Sequence, residues 1–368
     1  MISLTTSQRQ LLHLVGMALG VKNPDETVDF CYDWHEIYDL AERQAVLALA
    51  YEGMTLLPEN QRPDFEFRMQ WYADVERQRI MSQHIKERAA FLVQKMREIG
   101  FSAVVIKGPA LAAYYPKPEL RATGDIDLWV WREGLPFEES RRKVIDFVLS
   151  RQKNHPEREI PEVNYHHIDM PCFRDVEVEA HFVPSYFNNF YQNKRFQKWC
   201  EIFQKSTVSS GFLTTPDFNV VFTFQHLYRH LVGEGVGLRQ VLDCMMALRQ
   251  DFDREEAKKT IESLGMVKVC RAVSGILCTY FNMTEEECLF PPSEREADFL
   301  MADMWRGGNF GHNEKNREFM PAKSKFVNFL KNTKISLRYV THYPSEILWS
   351  VIFRVQNYFW RKKAGYRM

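Results

Sequence analysis

The chain has 368 residues, and its 48 Lys and Arg are matched by 48 Asp and Glu, for a formal net charge of zero. That balance excludes a protein whose main task is to coat nucleic acid, which needs a basic excess or stripe; one bound nucleotide needs only a local site. A hydrophobic fraction of 45% with 26% charged residues excludes bulk disorder.

The seven cysteines are scattered and form no C-x-x-C pair, so neither a disulfide framework nor a zinc framework is expected, and a reducing compartment is. No basic leader precedes an apolar stretch at the N-terminus, and no run of about 18 apolar residues occurs. The sequence therefore predicts a cytoplasmic protein with no transmembrane segment.

Residues 1–100 read as helices. Thr5, Thr6 and Ser7 are cap candidates before Leu11, Leu12, Val15, Met17 and Leu19. A second helix is predicted from Trp34 to Leu57, ahead of Pro58, and a third from Asp64 to Ile99, stopped by Gly100. The texture changes at Phe101. FSAVVIKG is a short strand, PALAAYY a short helix with proline in its first turn, and DIDLWVW a second strand. Residues 134–150 read as a helix, and NYHHIDM and VEVEAHFV as two strands around the turn PCFRD.

Helices return from Pro184: one capped by Asp217 and ending at Leu231, one over LRQVLDCMMALRQ, others over 254–283 and 294–306. RGGNFGHNEKNREF reads as a polar loop, with Arg306–His312 a candidate lid. The stretch from Ser345 to Lys363 reads as an aromatic, amphipathic helix. This predicts an α+β protein divided as 1–100 (N-terminal helical region), 101–185 (strand-bearing core), 186–290 (helical domain completing the cleft) and 291–368 (C-terminal helical region).

The chemistry is concentrated in RATGDIDLWV. Side chains alternate along a strand, so Asp125 and Asp127 share a face, roughly 6–7 Å apart at Cα, while Ile126 and Leu128 face a core. Paired carboxylates repel unless a cation lies between them, and Mg2+ favours one or two carboxylates together with phosphate oxygens and water. Without a metal the same pair is two solvated acids on a strand edge. Lys107 and Gly108 stand between a strand and a helix start, where backbone amides and a point charge can meet phosphate. Arg121 is placed to meet phosphate or to orient a carboxylate. On VEVEAHF, Glu177, Glu179 and His181 share a face and offer a third acid.

This order (strand, glycine at a helix start, D-x-D, acid on a later strand) resembles the DNA polymerase β-type nucleotidyltransferase superfamily. KGPALAAYYPKPELRATGDIDLWV followed by VEVEAHF is similar to an uncharacterised bacterial nucleotidyltransferase family within it, with HLYRHLVGEGVGLRQVLD as the downstream helix. The resemblance covers about residues 101–250. It implies a small mixed sheet with helices, embedded in N- and C-terminal helical regions.

It also implies Asp125, Asp127 and Glu179 as the catalytic, metal-binding acids, with Glu177 as a substitute for Glu179. Lys107, Gly108, Arg121 and Arg239 are implied as nucleotide-binding residues. The implied cofactor is Mg2+, two ions about 3.5–4 Å apart. The implied substrate is an NTP, with ATP expected. The implied reaction is transfer of NMP to an acceptor that is a small molecule or a macromolecule, but not a long nucleic acid. Two features depart from the pattern: the third acid is Glu where Asp is commoner, and Gly108-Pro109 replaces Gly-Ser. The alternative is a catalytically inactive nucleotide-binding or interaction protein on the same fold.

Three other features stand out. His226 and His230 share a helix face, but the H-E-x-x-H pattern of a zinc site is absent. His166 and His167 are expected one per strand face, with His167 on the face of Asp169. The C-terminal helix, with Ile347, Leu348, Val351, Ile352, Val355 and Phe359 beside Arg354, Arg361, Lys362 and Lys363, is a core element, a partner-helix contact or a membrane-surface helix.

Overall fold

A computed structural model describes residues 2–23, 31–153, 161–207, 211–309 and 337–366. The fold is α+β: a small mixed sheet of four strands flanked by helices, as the sequence pattern predicts. The chain divides into two compact units, one from 1–82, 112–122 and 220–334, the other from 83–111, 123–219 and 335–368.

The first unit is helical. Helix α1 (Thr6–Ala18) opens on a capping box, in which the Gln8 amide donates to Thr5 Oγ1 and the Thr5 amide donates to the Gln8 side chain. The helix expected over 34–57 is two, α2 (Trp34–Arg43) and α3 (Leu47–Thr55). The break lies at Ala45, whose φ of 55° is left-handed and unfavourable for a residue with a Cβ. It serves the buried Gln44, whose side-chain oxygen accepts from the Leu238 amide at 2.8 Å while its nitrogen donates to the Met304 carbonyl at 3.0 Å. Helical periodicity carries no trace of that distant pairing.

Helix α4 (Phe65–Glu98), capped by Asp64, is a single helix, and the boundary between the units falls within it. Trp71 is fully buried in the first unit, with Trp34, Tyr38, Tyr51 and Phe67 packed edge-on around it.

The second unit holds strand β1 (Ser102–Val105), the one-turn helix α5 (Pro109–Ala112) up to Leu111, β2 (Asp125–Trp131), α6 (Phe137–Lys153), β3 (His167–Asp169) and β4 (Glu177–His181). The sheet order is β1-β2-β4-β3; β1 and β3 are antiparallel to their neighbours, and β2 and β4 are parallel. Helix α7 (Phe190–Thr207) follows, then α8 (Pro216–Gly233), within which the boundary between the units falls again. Trp129, Trp199 and Phe218 stack within the second unit. Helices α9 (Leu238–Leu248), α10 (Arg254–Ser263), α11 (Val267–Tyr280) and α12 (Glu294–Gly307) return to the first unit, and α13 (Pro344–Ala364) belongs to the second. Of the candidate lid Arg306–His312, positions 310–312 lie outside the described residues.

Helices α1 and α3 approach so closely that a Cβ on Gly53 would lie 2.0 Å from the Leu14 carbonyl oxygen. That contact is with backbone, so relief requires moving a helix. Gly53→Ala is expected to destabilise the protein by at least about 2 kcal/mol in chemical denaturation. Gly16→Ala, whose Cβ would meet side-chain atoms of Lys22 and Val21 and no backbone, should have a smaller effect.

Candidate active site

Strand directions assemble the site. Because β1 is antiparallel to β2 and β4 is parallel to it, the end of β1 and the starts of β2 and β4 meet at one edge of the sheet. Asp125 is in register with Glu177, and Asp127 with Glu179. Residues in register on neighbouring strands share a face. The four acids therefore line one side, and Ile126, Leu128, Val178 and Ala180 are buried on the other. Asp125 is partly exposed, Glu177 exposed, Glu179 partly buried and Asp127 only 2% exposed. Trp129 continues the same face and is fully buried, so exposure along that face falls from Asp125 to Asp127 and ends at Trp129.

One histidine joins the two inner acids. His181 Nε2 lies 2.8 Å from Asp127 Oδ1 and 2.9 Å from Glu179 Oε2. Both partners are acceptors, so this nitrogen carries the proton. Lys107, just beyond β1, donates to the same Asp127 Oδ1 at 2.7 Å. Glu179 Oε2 also lies 3.2 Å from His167 Nδ1, and that nitrogen is 3.2 Å from His166 Nε2. The expected placement of His166 and His167 on opposite faces does not hold. Strand β3 begins at His167, so alternation does not extend to His166, whose ring lies 5.2 Å from that of His181.

Gly108 has a φ of 46°, and a Cβ there would lie 2.8 Å from Thr123 Cγ2. Both its conformation and its surroundings require glycine. The helix it introduces is only Pro109–Ala112, a single turn.

The charges are mutually dependent. Burial opposes ionisation of Asp127, but the Lys107 ammonium and the His181 imidazole outweigh it and hold the carboxyl well below the usual range. Burial likewise opposes ionisation of Glu179, and its bond to His181 more than offsets this. Burial drives the His181 proton affinity down, and the bonds to Asp127 and Glu179 lift it above the ordinary histidine value. Lys107 is held above the usual lysine value, its burial outweighed by Asp127, Glu179 and Asp125. Two neighbours move the other way. Burial, with His181 beside it, pushes His167 down to about 4, and burial, with Glu179 opposite, pushes Asp169 up to about 6.

Asp127, Glu179 and His181 each present a ligand atom within 4.8 Å of the others. Lys107 and His181 both occupy Oδ1 of Asp127, while Oδ2 is buried with no hydrogen-bond partner. A divalent cation fits this donor set: hard carboxylate oxygens, one of them unsatisfied, oriented by bonds to their other oxygens.

Arg121 and Arg239 belong to the first unit, Lys107, Gly108, Asp125, Asp127 and Glu179 to the second. Arg121 is 5% exposed and grips Asp243 with two bonds, Nε to Oδ1 at 2.7 Å and Nη2 to Oδ2 at 2.8 Å. The Tyr115 hydroxyl donates to the same Oδ1 at 2.9 Å. Arg239 donates to the Ala122 carbonyl at 3.1 Å. His226 and His230 stack edge-on, 4.3 Å apart, and His230 bonds Glu234; among the described residues they join no three-residue metal-ligating group. Sequence reasoning did not anticipate Trp129 or His166 beside these groups. Strand parity with Asp127 was the available signal for Trp129; for His166 the same parity, carried one residue past the start of β3, pointed to the opposite face.

The model of a protein family described as an uncharacterised nucleotidyltransferase matches residues 31–282, more than half of the chain. Comparison with curated proteins and with solved structures gives no match.

The Arg121–Asp243 pair makes a stability prediction. Asp243→Ala strands a buried guanidinium and is expected to cost about 3–5 kcal/mol in denaturant unfolding. The double change Arg121→Met/Asp243→Leu should cost markedly less than Asp243→Ala alone. A double-variant loss equal to the sum of the two single-variant losses would show that the pair is not energetically coupled.

Proposed function

Since the chain belongs to this uncharacterised nucleotidyltransferase family, we propose that it transfers NMP from an NTP to an acceptor hydroxyl or phosphate at Asp125, Asp127 and Glu179. Mg2+ is the proposed cofactor and ATP the proposed donor. The observation that carries this reading is Asp127: its carboxylate is buried opposite Glu179, one oxygen held by the Lys107 ammonium and the His181 N–H and the other without a hydrogen-bond partner. An unsatisfied buried carboxylate oxygen is costly unless something is to bind it.

Asp127 and Glu179 would hold the ion, with the more exposed Asp125 on the solvent side of them. A bound divalent cation would supply charge neutralisation for the triphosphate and would acidify the acceptor hydroxyl. His181 would fix the spacing of Asp127 and Glu179 by sharing one N–H between them. Lys107 would share its positive charge between Asp127 and a phosphate oxygen. Gly108 would keep the turn free of a Cβ where the nucleotide phosphates approach. Pyrophosphate is the leaving group. The chain's contribution is then charge and position set in place before substrates arrive.

The test is transfer of label from α-labelled NTPs, with Mg2+ and the small-molecule and protein fractions of a cell extract as acceptors. Wild-type protein is expected to label an acceptor or release pyrophosphate. Asp127→Asn should reduce this on the order of 10²–10³-fold. Equal labelling by both proteins would remove these acids from the chemistry. No labelling by wild type with any NTP would favour the inactive nucleotide-binding alternative.

A further inference from the structure

Helix α13 is apolar on two sides. Its inner side is fixed to the second unit: Phe353 stacks on Tyr186 with ring centroids 4.7 Å apart, and the Arg141 guanidinium lies 3.9 Å from the centre of the Trp360 ring. Glu346 accepts from the Asn188 and Asn189 amides, and Arg361 bonds Glu162. These contacts set the helix's rotation, so what faces outward is determined rather than incidental.

That outward side carries Leu348 (64% exposed), Ile352 (46%), Val355 (44%) and Phe359 (61%), flanked by Val351 and Tyr358. They follow the three- and four-residue spacing of one helical face over roughly 17 Å. Phe190 and Tyr191 extend the patch from α7, with the Tyr191 ring 6.0 Å from that of Trp349. A helix that is hydrophobic all round is normally covered on all sides, and contiguous exposed apolar surface marks an interaction site.

Charge selects the partner. Lys362 and Lys363 are exposed on the same side, one turn beyond Phe359. Glu346 is the only acid between Pro344 and Tyr366, and it is buried, bonded to backbone amides. Two copies paired through this face would have no acid on it to neutralise the lysines. We infer that the outer face of α13 seats on an anionic lipid bilayer, with Leu348, Ile352, Val355 and Phe359 among the acyl chains and Lys362 and Lys363 at the headgroups. Among the described residues no helix is long and apolar enough to cross a membrane. The contact is therefore peripheral.

The test is co-sedimentation of the full chain with vesicles of phosphatidylcholine alone or with added phosphatidylglycerol. Size-exclusion chromatography over a concentration series runs in parallel, and melting curves check that the variants fold. Binding is expected only with the anionic vesicles. Lys362→Ala/Lys363→Ala should weaken it about thirtyfold, and Val355→Glu/Phe359→Glu should abolish it. Binding that ignores vesicle charge or either variant would overturn the inference, as would no binding to either vesicle. A concentration-dependent dimer that Val355→Glu/Phe359→Glu dissolves would assign the face to a second copy instead.

Discussion

Two carboxylates in register on adjacent parallel strands, one buried and the other partly buried, are the constraint around which the second unit is organised. Asp127 and Glu179 would each resist ionisation in that setting. The sheet supplies what keeps both charged. Lys107 arrives from the end of β1, which runs antiparallel to β2, and His181 lies two residues along the strand that carries Glu179. Reversing β4 would exchange the ends of that strand and remove this convergence. The order β1-β2-β4-β3 is thus part of the electrostatics as well as the topology.

Lys107 and His181 also distribute the oxygens. Both bond Asp127 through Oδ1, and His181 bonds Glu179 through Oε2, so one oxygen of each acid is spent on orientation. This resembles a metal site's outer shell, where a second group fixes a ligand's direction. His167, pushed down to about 4 by burial and by His181, stays neutral beside them and adds no further positive charge at neutral pH. The first unit holds a separate buried ionic arrangement, Arg121 gripping Asp243 with Tyr115 on the same oxygen. The family match, 31–282, includes both arrangements.

Much of this was legible because a strand has a period of two. Alternation alone placed Asp125 and Asp127 on one face with Ile126 and Leu128 on the other, and grouped Glu177, Glu179 and His181. The glycine turn and the strand and helix types around it were equally readable from local composition. What stayed hidden depends on partners distant in sequence. The break at Ala45 is explained only by Gln44 reaching Leu238 and Met304. The grip of Asp243 on Arg121 spans more than a hundred residues, beyond the reach of any local spacing. His166 escaped because strand parity was extended one residue beyond where β3 begins.

The most direct test of the central claim is a titration of Mn2+ as a stand-in for Mg2+, followed by the loss of free-ion paramagnetic resonance signal. The wild-type protein, Asp127→Asn and Glu179→Gln would be compared without nucleotide. Two converging carboxylates predict saturable binding by wild type and at least about tenfold weaker binding by each isosteric variant. Equal binding by all three proteins, or no saturable binding by wild type, would contradict the claim that these acids form one cation site.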